Sequence, residues 1–284
     1  MMDKAPFVIR TMTREEVDLA IEWAAQEGWN PGLNDAANYY AADPNGFLMG
    51  LLGDEPIATI SAIRYDASFG FIGFYIVKPE FRGQGYGIQI WNTALDYLEG
   101  CNIALDGVVA QQDNYKKSGF QLAYRNIRYE GAGGGFVEPD PSIVPLSAHS
   151  LAQIQTYEQD FFPAPRPQFL QTWLTQPSAQ VYGMLKDGQL GGYGVIRACR
   201  SGYKIGPLYA NSPTIAEQLF RALKATVSEH DAIYLDVPEV NAEAVAMAEC
   251  EQMTVSFETA RMYTQSEPEL PLHRIFGVTS FEIG

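Results

Sequence analysis

The chain has 284 residues, 46% of them hydrophobic, and carries 19 Lys and Arg against 34 Asp and Glu, a formal net charge of −15. This length and composition are typical of a folded protein with one large or two modest domains. The strong negative charge argues against a nucleic acid or an anionic membrane as partner and favours the approach of a cationic small molecule. An acidic surface that only confers solubility is an equally good explanation.

Apolar runs and alternating patterns predict six strands in the first half of the chain, over residues 7–10, 47–52, 57–65, 71–77, 103–109 and 122–129. Thr13 and Glu16 form a capping box that begins a helix ending near Gly28. A second short helix follows Asn34, and a longer one after the fourth strand ends near Gly100. The pattern indicates an α/β fold.

The loop between the fourth strand and the long helix is the most informative motif. Pro79 ends the strand because it lacks the N–H that a ladder needs. Gly83, Gly85 and Gly87 then leave three positions where the backbone can turn tightly and approach a ligand. Free N–H groups at the helix N-terminus and the charge of Arg82 predict a site for a phosphate or pyrophosphate.

Two other phosphate loops do not fit this motif. A nucleotide-triphosphate loop needs Gly-Lys-Ser or Gly-Lys-Thr, and a dinucleotide fingerprint needs Gly-x-Gly-x-x-Gly. The observed Arg82-x-x-Gly85-x-Gly87, after Val-x-Pro-Glu-x, resembles the coenzyme A loop of the GNAT superfamily of acyl-CoA N-acyltransferases. Downstream, Tyr115-Lys-Lys-Ser-Gly-Phe120 resembles the family's Tyr-x-x-x-Gly-Phe segment, which closes the coenzyme site.

The resemblance implies how a coenzyme would be held. Acetyl-CoA would lie in the opening between the strands at 71–77 and 103–109, and in the family the tyrosine at the position of Tyr115 protonates the departing thiolate. Simple packing is the alternative role for Tyr115. The implied coenzyme-binding residues are Tyr75, Ile76, Val77, Arg82, Gly83, Gln84, Gly85, Tyr86, Gly87 and Asn114.

The chain departs from the family at the expected general base. Gly73, Phe74 and Tyr75 stand where the family often carries a glutamate, so the sequence identifies no base. A water chain, Asp35 or Asp106 could take the proton of an attacking amine. A helix cap or a strand-end hydrogen bond is the more common role of such aspartates.

The acceptor pocket is expected to involve the segment 29–40 and the second half of the chain. Its candidate residues are Trp29, Asn30, Asp35 and Tyr39. Trp29 and Tyr39 could stack an amine or a ring, because a cation over an aromatic face is stabilised. Each of these residue types is more often part of a hydrophobic core.

The second half repeats the predicted elements of the first. Strands are predicted over residues 181–185, 190–198, 205–210 and 233–237. Ser147 could cap one helix and Pro167 begin another. The glycine loop, however, is replaced by Asn211-Ser-Pro-Thr214, and Ala248 falls where the family has its tyrosine. The second copy therefore lacks the features that bind and use a coenzyme.

The whole chain resembles the tandem-domain group of the GNAT superfamily, in which the C-terminal domain is degenerate. The resemblance implies two GNAT-like domains, each a mixed, mostly antiparallel sheet flanked by helices. Residues 1–132 would form the catalytic domain and 143–284 the degenerate one, joined by a Gly- and Pro-rich linker at about 131–142.

The implied reaction is direct transfer of an acetyl group from acetyl-CoA to a primary amine of a small cationic molecule. Two alternatives stay open: a non-enzymatic acyl-CoA sensor, and a protein N-terminal or lysine acetyltransferase. The three cysteines form no Cys-x-x-Cys pair and the histidines no metal spacing, so we expect a cytoplasmic protein without metal. We expect neither a nucleic acid nor a membrane as partner, and a homodimer is one option.

Overall fold

The computed structural model describes residues 5–135, 137–138, 140–146 and 150–284. Within these residues the strands are β1 (Phe7–Thr11), β2 (Phe47–Leu52), β3 (Glu55–Arg64), β4 (Phe69–Val77), β5 (Asn102–Val108), β6 (Gln121–Ala132), β7 (Ile143–Pro145), β8 (Gln180–Lys186), β9 (Gln189–Ala198), β10 (Tyr203–Ala210), β11 (Ala232–Pro238), β12 (Thr254–Tyr263) and β13 (Ile275–Gly277). The helices are α1 (Arg14–Gln26), α2 (Asp35–Ala42), α3 (Tyr86–Tyr97), α4 (Gln112–Lys117), α5 (Leu151–Glu158), α6 (Pro167–Thr175), α7 (Pro213–Lys224) and α8 (Ala242–Cys250). The predicted strands and helices are confirmed with small shifts at their ends. Ser147, the predicted cap of α5, lies outside the described residues.

The local signals that begin the helices act as predicted. The side chain of Thr13 accepts a hydrogen bond from the Glu16 N–H at 3.3 Å, and the Glu16 carboxylate accepts one from the Thr13 N–H at 2.9 Å. Pro167 is the first residue of α6, where its missing N–H costs nothing. In the second half, Ser212 caps α7 in place of a glycine loop.

The sheet is mixed and mostly antiparallel, as the resemblance to the GNAT superfamily implies. Its order is β1-β2-β3-β4-β5-β12-β6-β11-β10-β9-β8-β7, with β13 beside β10. Among the described strands, parallel pairing occurs between β4 and β5 and between β10 and β11. Helices cover both faces, and the two halves are related as an approximate repeat.

The last strand of each half is exchanged, which the sequence did not predict. β6 was expected to close the first half, but it pairs with β11 and β12 of the second half. β12 in turn pairs with β5 of the first half. One continuous sheet therefore replaces two separate ones, because alternation along a strand defines its faces but not its neighbour. The division at residues 131–142 stays a prediction.

The largest hydrophobic core is shared by both halves. Tyr39 and Phe74 from the first half are buried in the same cluster as Trp173, Tyr193 and Tyr209 from the second. The rings of Tyr39 and Trp173 stack with their centroids 6.0 Å apart. The halves are thus joined by packing as well as by the exchanged strands.

The central strand β4 separates from β5 partway along. The two strands pair from Phe69 to Ile72, and the pairing ends before Gly73. A one-residue bulge follows, where the register against β3 shifts and Phe74 has a φ of 47°. A wedge-shaped opening between β4 and β5 results.

The equivalent opening in the second half is filled by the chain itself. β10 and β11 pair only from Tyr203 to Ile205 on the β10 side. Beyond that point β13 pairs with β10, and the Val278 N–H donates to the Asp236 carbonyl on β11 at 2.9 Å. This backbone occupies the space that a coenzyme would need there.

Candidate active site

A cavity of about 590 Å³ lies in the opening between β4 and β5. This volume is in the usual range for ligand sites. Its walls come from β4, the glycine loop, α3, β5 and α4 of the first half, and from β12 and residues 281–282 of the second. Of the residues predicted from sequence, those that line it are Trp29, Tyr75, Ile76, Val77, Arg82, Gly83, Gly85, Gly87 and Tyr115.

The glycine loop has the geometry of an anion site. Gly83 and Gly85 have φ values of 74° and 85°, which side chains other than glycine rarely adopt. Gly85 is the N-cap of α3, so the first free N–H groups of that helix lie at the cavity wall. A Cβ atom on Gly87 would lie 2.6 Å from the Tyr75 hydroxyl, which explains the third glycine.

Arg82 is half exposed and held by two contacts. Its Nε donates to the Val77 carbonyl at 2.7 Å, and its guanidinium forms an ion pair with Glu27. Glu27, which the sequence reasoning did not single out, also lines the cavity. A phosphate bound here would share Arg82 with a carboxylate.

Tyr115 projects from α4 into the cavity and packs against Trp91 and Gly107 of the first half. Its ring stacks on Trp91 with a centroid distance of 5.5 Å, and a side chain at Gly107 on β5 would overlap it. Burial, with a smaller contribution from Tyr75, raises the pKa of Tyr115 to about 12. The hydroxyl is therefore protonated at neutral pH and can act as a proton donor.

Three of the predicted coenzyme residues do not line the cavity. The side chain of Gln84 donates to the Glu80 carbonyl at 2.8 Å, and Tyr86 packs on Phe7 with centroids 4.9 Å apart. Asn114 is exposed on α4 and bonds to another residue of its own turn. Each of these side chains contacts another part of the first half instead of the cavity.

Three of the four predicted acceptor residues also lie outside the cavity lining. Asn30 exchanges two hydrogen bonds of 2.9 Å with the backbone of Ser201. Asp35 is buried and paired with Arg197 at 3.0 Å. Burial alone would raise the pKa of Asp35, but Arg197 outweighs it and holds that pKa below its ordinary value. Tyr39 is buried and donates to Asp35 at 3.0 Å.

Asp106, the other aspartate considered as a base, is committed to an ion pair. Its carboxylate accepts two hydrogen bonds from Arg261 on β12, at 2.9 and 2.6 Å, and a third from Asn126 at 2.8 Å. Its side chain is fully buried. Like Asp35, it contributes to the joining of the two halves.

Sequence reasoning missed the cavity wall that comes from the second half and the exchanged strand. The residues of this wall are Arg128, Phe257, Thr259, Phe281 and Glu282. Arg128 on β6 forms a buried bidentate ion pair with Asp236 on β11, with both distances 2.7 Å. Its guanidinium lies 4.7 Å from the ring centroid of Phe281. No local signal identifies these residues, because their position depends on the strand exchange.

The wall from the second half also contains one unpaired polar atom. The Thr259 hydroxyl is buried and makes no hydrogen bond within the described part of the chain. A buried polar group without a partner is unfavourable unless a ligand or water satisfies it.

Among the described residues, no group of three or more His, Cys, Asp or Glu side chains is arranged to hold a metal ion. None of their helices is long and apolar enough to cross a membrane.

Comparison with known proteins identifies the family. Residues 14–120 match the GNAT acetyltransferase family model, and residues 154–277 match a second model described as an acetyltransferase (GNAT) domain. The chain is 28% identical over its full length to a holothin acyltransferase from Pseudoalteromonas sp. (strain SANK 73390), 97% of which it covers.

Solved structures share the fold. A candidate acetyltransferase from Pyrococcus horikoshii, 21% identical, superposes with a TM-score of 0.83, over 98% of this chain and 96% of that one. A tandem GNAT protein from the clavulanic acid biosynthesis pathway, 12% identical, superposes with a TM-score of 0.65, over 93% of this chain and all of the other. With a GNAT match in each half, this chain belongs to the GNAT superfamily of acyltransferases in its tandem-domain form.

Proposed function

We propose that this acyltransferase moves an acetyl group from acetyl-CoA to the primary amine of a small molecule, with both substrates bound at once. The observation that carries the proposal is the convergence on one cavity of the glycine loop, the protonated Tyr115 and the wall from the second half. Holding two reactants together in this way supplies much of the acceleration in a transfer reaction.

In this proposal the first half binds the donor. The pyrophosphate lies on the N–H groups of Gly83–Gly87 and on Arg82, and the pantetheine arm follows β4 beyond Ile72, where β5 no longer pairs with it. Backbone N–H groups near Tyr75 polarise the thioester carbonyl. Tyr115 protonates the sulfur as the bond to the acetyl carbon breaks.

The acceptor is proposed to be compact. Residues of β12 and residues 281–282 line the same cavity as the glycine loop, so the second half contributes to the wall that an acceptor would meet. The relative from Pseudoalteromonas is named for acyl transfer to holothin. A cationic amine would suit the net charge of −15.

Two other functions are less well supported. A protein N-terminal or lysine acetyltransferase needs a long open groove, whereas here the second half contributes part of the cavity wall. A sensor that binds acyl-CoA without reaction needs no buried, protonated tyrosine beside the site of the thioester. The acetyltransferase proposal accounts for both features.

The test combines binding with turnover. Calorimetric titration with acetyl-CoA should give one site per chain with micromolar affinity, about −8 kcal/mol. A screen of primary amines that includes holothin, followed by the release of coenzyme A thiol, should identify acceptors. Binding without turnover on any amine would favour the sensor, and an absence of binding would contradict the proposal.

A further inference from the structure

The cavity contains one carboxylate that the family resemblance did not suggest. Glu282 lines the cavity and its residue is only 4% exposed. It follows β13 in a segment that crosses from the second half to the central strand of the first. There the Glu282 carbonyl oxygen occupies the place that a side chain at Gly73 would take. Gly73 is one of the three positions where a glutamate base was sought and not found.

Among the described residues, three carboxylates line the cavity, and two of them are ion-paired. Glu27 is paired with Arg82, and Asp106 with Arg261. Glu282 has no Arg, Lys or His nitrogen within 4.0 Å among the described residues, which distinguishes it from the other two. Of these three carboxylates, Glu282 is thus the one that is not paired with a cation.

The hydrogen bonding of Glu282 leaves one oxygen available. The Tyr39 hydroxyl lies 3.3 Å from Oε2, but its one proton is shared with the Asp35 carboxylate, which is closer at 3.0 Å. Oε1 accepts none from any residue that the structure describes. A carboxylate in a low-dielectric site with an open oxygen is suited to accept a proton from a ligand.

The charges that face Glu282 are satisfied elsewhere. Arg128 on β6 is held by both oxygens of Asp236. Lys204 on β10 donates to the Trp29 carbonyl at 3.3 Å, and burial, followed by the charge of Arg128, lowers its pKa. Tyr39 on α2 supplies the remaining contact. Neither Arg128 nor Lys204 forms a direct ion pair with Glu282.

The segment that carries Glu282 is held on both sides of it. The Tyr65 hydroxyl donates to the Ile283 carbonyl at 2.7 Å, and the Ile283 N–H donates to the Ser280 hydroxyl at 3.2 Å. Arg166 donates to the Thr279 hydroxyl at 2.8 Å. A catalytic carboxylate must be fixed in this way to keep its distance to the substrate.

We infer that Glu282 is the general base of the reaction and takes a proton from the acceptor amine. This inference rests on the proposed function. Glu282 takes one proton from the ammonium group of the bound acceptor, and the neutral nitrogen then attacks the thioester carbon, so a C–N bond forms. The C–S bond breaks with its electron pair on sulfur, which takes a proton from Tyr115, and the surplus proton of the nitrogen passes through water to Tyr115. Glu282 then releases its proton to water, so that the sum is ammonium plus thioester giving amide, thiol and one proton.

The test compares two nucleophiles that differ in their need for a base. Hydroxylamine is largely neutral at pH 7, whereas 2-phenylethylamine is protonated. We expect E282Q to lower kcat with 2-phenylethylamine by about 100-fold, the usual contribution of a positioned base, and to leave kcat with hydroxylamine within about threefold. E282D, which keeps a carboxylate, should retain the wild-type preference between the nucleophiles. E267Q, at an exposed carboxylate outside the site, is the matched control.

The possible results distinguish a failure of the proposed function from a failure of the inference about Glu282. If wild type releases no coenzyme A with either nucleophile above the non-enzymatic rate, the proposed function itself fails. If wild type is active but E282Q loses the same factor with both nucleophiles, or loses nothing, Glu282 is structural and the inference is overturned. Wild-type activity with hydroxylamine alone would also overturn it, because a base at Glu282 should deprotonate the ammonium form of 2-phenylethylamine before attack. If E282Q does not fold, E282D provides the test. Loss of the wild-type preference between the two nucleophiles in E282D would contradict the inference.

Discussion

The carbonyl oxygen of Glu282 lies where the Cβ atom of any larger residue at position 73 would stand, so Gly73 and Glu282 fit together only because Gly73 has no side chain. This contact joins the central strand of the first half to a segment of the second. It also explains why a catalytic side chain at this position of β4 would be incompatible with the observed structure. Several properties of the protein depend on it.

Replacing Gly73 by alanine should displace the segment that carries Glu282. The added methyl group meets backbone, which cannot move away as a flexible side chain can, and overpacking of this kind costs about 1–3 kcal/mol. We expect a lower melting temperature and at least about a tenfold loss of acyl transfer. Gly191→Ala on β9 is the control, since its Cβ atom would come no closer than 3.3 Å to any atom. Equal behaviour of the two variants would contradict the importance of the contact.

Tyr115→Phe should abolish most turnover and leave donor binding intact. Loss of a positioned general acid lowers kcat by about 100-fold or more, while the ring and its stacking on Trp91 are kept. Calorimetry should give an affinity for acetyl-CoA within about twofold of wild type. Tyr203→Phe removes a hydroxyl that does not line the cavity and should have no effect.

The pH dependence should show the raised pKa of Tyr115. Because burial raises this pKa to about 12, the hydroxyl remains protonated, and able to donate, throughout the usual assay range. The rate should therefore show no decline from deprotonation of Tyr115 up to about pH 10. The measurement compares the pH–rate profile of wild type with that of the residual activity of Tyr115→Phe. If the wild-type rate declines below about pH 10 and the rate of the variant does not, the pKa of Tyr115 is lower than expected.

Arg82 and Glu27 should affect donor affinity in opposite directions. Arg82→Ala removes a charge-assisted contact worth about 1.5–3 kcal/mol, so the Kd for acetyl-CoA should rise roughly tenfold to a hundredfold. Glu27→Gln frees Arg82 from its ion pair and should lower the Kd. Arg14→Ala, at an exposed arginine paired with Asp18, serves as control. An unchanged Kd in both test variants would place the pyrophosphate elsewhere.

Asp236→Asn should strongly destabilise the fold. Removing one partner of a buried ion pair leaves Arg128 uncompensated, which costs about 3–5 kcal/mol. Burial alone would raise the pKa of Asp236, but Arg128 outweighs it and holds the pKa below its ordinary value. Since the folded pKa is the lower one, this stabilisation is present above the unfolded pKa of about 3.9 and is lost as the pH falls through the folded value. Urea unfolding measures the free energy of unfolding, which should fall less between about pH 7 and pH 3 in the variant than in wild type. A variant as stable as wild type at pH 7 would contradict the prediction.

The chain should bind one coenzyme molecule, not two. β13 and Val278 occupy the opening between β10 and β11, and Ser212 with Pro213 replaces the glycine loop at the start of α7. Filling this second opening with backbone removes the space as well as the anion site. Calorimetric titration that gave two equal sites would contradict this description of the second half.

Much of this protein follows from its sequence alone. Ten of the thirteen described strands, the capping box of Thr13 and Glu16, the start of α6 at Pro167 and the loop at Gly83–Gly87 were predicted, because each depends on residues that are neighbours along the chain. The strands β7, β12 and β13 were not predicted. The glycines in particular are required by local backbone angles. The same local patterns identified the family and the donor side of the cavity.

Only the tertiary structure decided the acceptor side. Asp35 and Tyr39 have residue types suited to binding an amine, yet burial and the ion pair with Arg197 make them part of the joint between the halves. Arg128 and Glu282 reach the cavity through the exchange of β6 and β12 and the path of residues 278–284. Strand alternation defines which face a side chain occupies but not which strand lies beside it, and that long-range choice determines which residues meet the substrate.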